Sequence, residues 1–328
     1  MKILVTGTAG FIGFHVAHRL LTDGHSIVGL DNINDYYDPT LKIRRNKLLK
    51  EFKKYTFYKV DIAEEKKVEK IFTKEKPDTV IHLAAQAGVR YSLLNPWLYA
   101  KSNHIGTLSI FEAARKTGIK RVLYASSSSV YGKNTQMPFK ESHTTDTPMS
   151  LYAATKKANE VMAHAYNHLF GMDMIGFRFF TVYGPWGRPD MAFFYFIDSI
   201  QKDKPVTLYN KGNMWRSFTY IDDVVEALVR FVEKKHKPGH RVYNIGGDSL
   251  VKVGDLIKEF EVVLSKKAEI QHQEKHIADV LKTHADTSSL KRAIGFVPKT
   301  HIKTGLKNFV EWYLKHEKWL SKLAKAKQ

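Results

Sequence analysis

Cysteine is absent from this chain of 328 residues. That excludes disulfides, thiolate metal sites and a cysteine nucleophile, and it fits a reducing, cytoplasmic setting. Long apolar runs are missing as well. None approaches the roughly eighteen residues needed to cross a bilayer, and a strand starting at Lys2 leaves no room for a leader peptide. Stable membrane insertion is therefore not expected. Neither a Gly-x-Ser-x-Gly elbow nor a Walker A pattern occurs, so serine-hydrolase and P-loop chemistry lack support. His164 and His168, like His272 and His276, have helical ligand spacing, but no third ligand stands beside them, and no metal is expected.

Acidic residues are scarce: 33 Asp and Glu face 52 Lys and Arg, a net charge of +19. The excess is concentrated. Thr40 to Lys59 holds eight basic residues and one acid, and His301 to the end holds seven lysines and two glutamates. The latter segment carries Phe309, Trp312, Tyr313, Trp319, Leu320 and Leu323 at helical spacing, the pattern of an amphipathic surface helix. Both segments read as docked helices with solvated basic faces, in preference to a nucleic-acid or membrane patch.

The most informative segment is the first 31 residues. Lys2 to Thr6 is an apolar, β-branched strand that runs into Gly7-Thr8-Ala9-Gly10-Phe11-Ile12-Gly13. A helical pattern follows to Leu21, and a second strand from Ser26 ends at Asp31. Strand, glycine turn, helix, strand and acid make a dinucleotide-binding βαβ unit. Gly7 permits the tight turn, Gly10 admits a pyrophosphate, and Gly13 brings the helix close. The N–H groups at Phe11 and Ile12 and the positive helix end face the phosphates. Asp31, 18 residues after Gly13, is placed for the adenosine ribose and would repel a 2′-phosphate, which favours NAD over NADP.

Strands and helices continue to alternate: Thr56–Val60, Glu64–Lys74, Asp78–Leu83, Trp97–Lys116, Arg121–Ala125, Ser150–His168 and Met174–Phe179. The expectation is an α/β fold, a Rossmann-type doubly wound parallel sheet with a smaller mixed α/β substrate domain. Residues 1–180 would bind the dinucleotide, and residues 181–328 mainly the second ligand, with some segments returning to the first domain. His82 reads as a satisfied structural histidine, and Trp97, Tyr99 and Ile105 as core or subunit interface. A second constellation lies past the strand ends. Ser126 to Ser129 precede Val130-Tyr131-Gly132, and Tyr152 and Lys156 stand four apart on one helix face. The lysine ammonium and a nicotinamide cation would both favour the phenolate, making Tyr152 a general base. A nearby serine hydroxyl would hold the substrate oxygen.

With these motifs in place, the chain resembles the nucleotide-sugar epimerases of the extended short-chain dehydrogenase/reductases along essentially its whole length. The most specific strings are Leu30-Asp31-Asn32-Ile33-Asn34-Asp35-Tyr36-Tyr37-Asp38, Ala84-Ala85-Gln86-Ala87-Gly88-Val89-Arg90-Tyr91-Ser92 and Arg178 through Met191. These are similar to the branch that acts on UDP-hexuronates. The resemblance implies an NAD-dependent 4-epimerase interconverting UDP-glucuronate and UDP-galacturonate through a 4-keto sugar, as a homodimer pairing the helices near 97–116 and 150–168. It implies Tyr152 as base, Lys156 on the nicotinamide ribose, and Ser127 with Ser129 as catalytic hydroxyls. Asn32, Asp61, Ile62, Leu83, Ala84 and Ala85 would border the cofactor. Arg90, Ser128, Thr181, Arg188, Arg216 and Asp279 would face the sugar nucleotide, Arg216 at the diphosphate and Arg188 at the carboxylate.

Two departures stand out. Phe14 occupies a position where a small residue is expected, and His276-Ile277-Ala278-Asp279-Val280 replaces a Gln-Pro-Gly-Asp-Val-like string. A UDP-glucuronate decarboxylase and a 4-epimerase of a neutral UDP-hexose remain open. A non-catalytic NAD sensor and a nucleic-acid-binding protein are the readings outside the enzymes. Ser128-Ser129 argues against a 4,6-dehydratase, which carries an acidic pair there.

Overall fold

A computed structural model describes residues 1–234, 237–274 and 280–324. The first half alternates as expected: β1 (Lys2–Thr6), α1 (Phe11–Thr22), β2 (Ser26–Asp31), α2 (Pro39–Leu49), β3 (Tyr55–Lys59), α3 (Glu65–Glu75) and β4 (Thr79–His82). Two short helices, α4 (Tyr91–Leu94) and α5 (Pro96–Tyr99), lead through a π-helical turn at Ala100–Ile105 into α6 (Gly106–Lys116). Then come β5 (Arg121–Ser127), α7 (Leu151–Phe170) and β6 (Asp173–Phe179). Ser150 caps α7 through a hydrogen bond from Ala153 N to its Oγ at 3.1 Å, and Gly171 ends the helix in a left-handed conformation.

Beyond β6 most strands are shorter and their pairing is mixed: β7 (Thr181–Tyr183), α8 (Ala192–Gln201), β8 (Val206–Tyr209), β9 (Trp215–Tyr220), α9 (Ile221–Glu233), β10 (His240–Ile245) and β11 (Leu250–Lys252). The chain closes with α10 (Val253–Leu264), β12 (Ile270–Gln273), β13 (Lys282–Thr283), α11 (Ser288–Ile294) and α12 (Ile302–Leu320).

Seven parallel strands form the main sheet in the order β10-β6-β5-β4-β1-β2-β3. The sheet therefore takes one strand, β10, from beyond residue 180. Strand order reverses between β1 and β4, and open α/β sheets bind ligands at the carboxyl end of such a switch point. Helices on both faces bury β1, β4 and β6, which explains why burial along these strands is continuous and does not alternate. A smaller mixed sheet joins β7, β9, β11 and β13, and β8 pairs with β12 beside it.

Two expectations need correction. The single helix from Trp97 to Lys116 is interrupted by the π-turn, whose extra residue per turn redirects Asn103 inward. The basic window after Thr40 is not wholly solvated: Lys42 and Arg45 on α2 are buried, because the Asn34 carbonyl of the preceding loop meets the Lys42 ammonium and carbonyls from distant segments meet the Arg45 guanidinium. Tyr99 is core, whereas Trp97 and Ile105 are exposed. The tail helix behaves as its pattern predicts, burying Phe309, Trp312, Tyr313 and Leu320.

Candidate active site

A cleft of about 760 Å³ opens at the switch point, between the carboxyl ends of the main sheet and the smaller sheet. The glycine turn forms one wall. Gly7 has φ +76°, and a Cβ there would sit 2.9 Å from Ala84 N. A Cβ on Gly13 would come within 2.1 Å of Gly7 O, so only glycine lets α1 approach the turn this closely. The N-terminal end of α1, with Phe11 and Ile12, faces the cleft. Asp31 accepts from Ala9 N at 3.0 Å and from Ile33 N at 2.8 Å, which fixes the acid and the turn to each other. Asn32, Asp61, Ile62, Leu83, Ala84 and Ala85 line the same wall. Thr6 Oγ1 accepts from Leu83 N and Ala84 N, holding the β4 end against β1. His82 is buried and bridges Thr6 and Thr107 at 2.8 and 3.0 Å, a structural histidine as read.

Deeper in the cleft lie Ser127, Ser128, Ser129, Tyr152 and Lys156. Strand alternation sends Ser126 the other way, where its hydroxyl donates to Glu160 at 2.6 Å. Ser127 accepts from Ser129 N at 3.2 Å and meets the Tyr152 hydroxyl. Burial raises the Tyr152 pKa, while the Ser127 hydrogen bond and the Arg188 charge lower it. The expected depression by Lys156 is thus not a property of the chain alone. Lys156 Nζ donates to Ala125 O at 2.9 Å, and burial pushes its pKa down to about 8.

Thr181, Arg188 and Arg216 line the opposite wall. Arg188 grips Asp190 with two donors, Nε to Oδ1 at 2.9 Å and Nη2 to Oδ2. Burial disfavours its charge, but Asp190 and the neighbouring tyrosines outweigh this and raise its pKa. Tyr36 donates to the same Asp190 at 3.2 Å. Arg216 on β9 donates to Trp215 O and Leu281 O. Arg90 stacks on Tyr209, 4.1 Å from the ring centre, so it bridges the two sides of the cleft. Asp279 and the His276–Ala278 departure lie outside the described residues.

Three features escaped the sequence reading. Asn103, in the π-turn, accepts from Gln86 N at 2.7 Å and donates to Gln86 O and Thr155, joining the β4 loop to the helix of Tyr152. Asp190 is the partner of Arg188. Trp186, at φ +60°, packs among Phe14, Trp312, His316 and Trp319. Phe14 is thus large because it supports this loop. A left-handed tryptophan costs on the order of 1–3 kcal/mol, which this surrounding structure must offset.

Residues 3–246 match the NAD dependent epimerase/dehydratase family. The chain belongs to that family. It is 42% identical over 331 residues to the probable UDP-glucuronate 4-epimerase of Rhizobium meliloti strain 1021, covering 95% of this chain and 97% of that one. The UDP-glucuronic acid 4-epimerase of Bacillus cereus, crystallised with UDP-glucuronic acid and NAD, superposes with a TM-score of 0.91 at 33% identity, over 96% of this chain and all of that chain. The UDP-glucose 4-epimerase of Thermotoga maritima, crystallised with UDP-glucose, gives 0.89 at 31% identity over 97% and 100%.

The site of this epimerase/dehydratase fits NAD. A Cβ on Gly7, Gly10 or Gly13 would strike backbone atoms of the turn or of the β4 end, so the glycines keep the turn compact, α1 presents its N-terminal donors to the cleft, and the Asp31 carboxylate disfavours a phosphorylated ribose.

Proposed function

We propose that this epimerase/dehydratase is an NAD-dependent 4-epimerase interconverting UDP-glucuronate and UDP-galacturonate. The observation that carries the reading is the meeting of Ser127 and Tyr152 with Arg188 at one cleft. A proton acceptor and a carboxylate-binding guanidinium then serve the same sugar. The Rhizobium meliloti and Bacillus cereus relatives, both named for UDP-glucuronate, support the hexuronate.

Bound NAD supplies reversible hydride exchange at C4 of the sugar. The remaining chemistry falls to the chain. Tyr152 Oη takes the O4 proton and returns it, and Ser127 holds O4 in line, with Ser129 as a second contact. Lys156 anchors the nicotinamide ribose. Gly7, Gly10, Gly13, Asp31 and Asn32 hold the rest of the dinucleotide, bordered by Asp61, Ile62 and Leu83 to Ala85. Arg216 and Arg90 take the UDP diphosphate side. Arg188, Ser128 and Thr181 hold the carboxylate. A 4-keto hexuronate is a β-keto acid and loses CO₂ when its carboxyl bond lines up with the carbonyl π system. Fixing the carboxylate out of that alignment separates an epimerase from a decarboxylase.

The proposal extends to organisation. Residues 1–180 serve mainly the cofactor and residues 181–328 mainly the sugar nucleotide, with β10 returned to the first part. A homodimer forms through α5 to α7. Trp97 is 83% and Val161 58% exposed, and Ile105, Leu108 and Leu151 add to this uncovered apolar face. No helix of the described residues is long and apolar enough to cross a membrane. We place the enzyme in the cytoplasm, with no nucleic-acid partner.

The test is to incubate the purified protein with UDP-glucuronate, adding no NAD, and to identify the products by proton NMR. UDP-galacturonate without net NADH is the expected result. A UDP-pentose with CO₂ would make it a decarboxylase. No reaction even with NAD added would turn attention to neutral UDP-hexoses, as the Thermotoga structure suggests.

A further inference from the structure

Arg45 is fully buried, yet no carboxylate of the described residues lies within ion-pair distance of it. Its partners are neutral and come from three separate parts of the chain. Nη1 donates to Ala9 O at 2.9 Å, on the glycine turn, and to Tyr37 Oη at 2.8 Å. Nη2 donates to Trp186 O at 2.5 Å and Gly187 O at 3.2 Å, the two residues before Arg188. Nε has no partner among the described residues. A second tie runs parallel: His15 Nε2, on α1, lies 2.9 Å from Pro185 O. Burial pushes the His15 pKa down to about 3, so the ring meets that carbonyl as a neutral donor.

Three consecutive carbonyls of the Arg188 loop are therefore held from the dinucleotide side of the cleft. The connections continue in both directions. Ala9 N donates to Asp31, and Arg188 grips Asp190, which Tyr36 also contacts. A buried guanidinium without a carboxylate is costly, and an anion nearby would offset that cost. The glycine turn that Arg45 supports from behind is where a dinucleotide diphosphate belongs. The planar fork of arginine also explains why this position is not lysine: one ammonium cannot reach three carbonyls and a phenol along two edges.

We propose that Arg45 is a positioning residue that bolts the Arg188 loop to the cofactor turn, so that one side chain sets both the hold on the dinucleotide and the placement of the guanidinium that meets the hexuronate carboxylate. The second half of this inference rests on the 4-epimerase reading. Arg45 is not among the residues that line the cleft and acts through Ala9 and through the Trp186–Gly187 carbonyls.

Two substitutions separate its charge from its shape. Arg45→Lys keeps the charge and loses the fork. We expect NAD to copurify near the wild-type ratio, KM for UDP-glucuronate to rise about tenfold with a smaller change in kcat, and UDP-pentose to appear among the products. Arg45→Met also removes the charge, and more than about half of the copurifying NAD should be lost on gel filtration. Lys47→Met, on the exposed face of α2, serves as the control with wild-type values. A merely structural role would lower the melting temperature without moving the KM to kcat split or the product ratio.

Wild-type KM and product ratio in Arg45→Lys would overturn the positioning of Arg188. Wild-type NAD content in Arg45→Met would overturn the cofactor tie. If Arg45→Met does not fold, Arg45→Gln, which also removes the charge, replaces it, and unchanged NAD content in that variant counts equally against the tie. Should the wild-type protein leave UDP-glucuronate untouched, the substrate reading fails by itself, while NAD content in the variants still decides the part played by Arg45.

Discussion

The Arg178 guanidinium holds Glu160 with two parallel hydrogen bonds, Nε to Oε1 at 2.9 Å and Nη2 to Oε2 at 2.8 Å, and both side chains are buried. Ser126 donates to the same carboxylate at 2.6 Å, and the Tyr131 ring lies against the guanidinium. The pair joins β5, β6 and α7 directly behind the serine segment of the cleft. Glu160→Ala leaves an uncompensated buried cation and should cost about 3–5 kcal/mol of stability. Urea unfolding followed by circular dichroism measures this; a loss under about 1 kcal/mol would mean that water or a rearranged partner satisfies Arg178.

Tyr152→Phe and Ser127→Ala should lower kcat by about 10² to 10⁴. Bound NAD should change little in both; the melting temperature should hold in Tyr152→Phe, whereas Ser127→Ala also loses the bond from Ser129 N that caps the turn at Ser128–Tyr131 and should cost about 1 kcal/mol. A Tyr152→Phe enzyme retaining more than a tenth of wild-type turnover would move the proton transfer to another group.

Arg188→Ala should raise KM for UDP-glucuronate about tenfold or more, or release UDP-pentose. It also leaves Asp190 without its main cation, so Arg188→Lys is needed beside it. Kinetics with UDP-glucuronate, read together with product NMR, settle the role; unchanged values in both variants would remove Arg188 from the sugar site.

Val161→Asp places a charge in the uncovered apolar face of α7 and should shift the protein toward monomer in sedimentation velocity. A wild-type protein that is monomeric at micromolar concentration would remove the dimer from the proposal.

Acid should destabilise the protein through His82. Burial holds its pKa at about 3, against 6.5 for the free side chain. Above about pH 6.5 the ring is neutral in both states and contributes no pH dependence. Below it, the unfolded chain takes up a proton that the folded chain refuses until about pH 3. Stability therefore falls by up to about 1.4 kcal/mol per pH unit across this window. Melting temperatures from pH 7 to pH 5 should show a shallower slope in His82→Gln than in the wild type.

The wall of the cleft formed by the glycine turn was legible because its signals are local. Gly7, Gly10, Gly13 and Asp31 sit at fixed offsets within one βαβ unit, and Tyr152 and Lys156 occupy one helix face. The alternation of apolar strands likewise gave the parallel sheet. Arg45 and Asn103 were not legible. Arg45 lies in a lysine-rich window whose local pattern signals solvent exposure, and it is buried only because Trp186 and Gly187, some 140 residues later, present their carbonyls. Asn103 depends on a π-turn inside an otherwise helical sequence, and no periodicity announces one. Phe14 looked like a flaw in the glycine helix until Trp186 supplied its partner.

The aromatic cluster around Trp186 draws two of its rings, Trp312 and Trp319, from the last helix of the chain. During synthesis, the glycine turn and Asp31 emerge within the first few dozen residues, and Tyr152 follows near the midpoint. The loop that carries Arg188 gains its full support only when α12 has left the ribosome. A nascent chain thus carries its glycine turn and Tyr152 before the support of the Arg188 loop exists. Premature termination just before α12 would leave the Arg188 loop held by Arg45 and His15, without its aromatic support from α12.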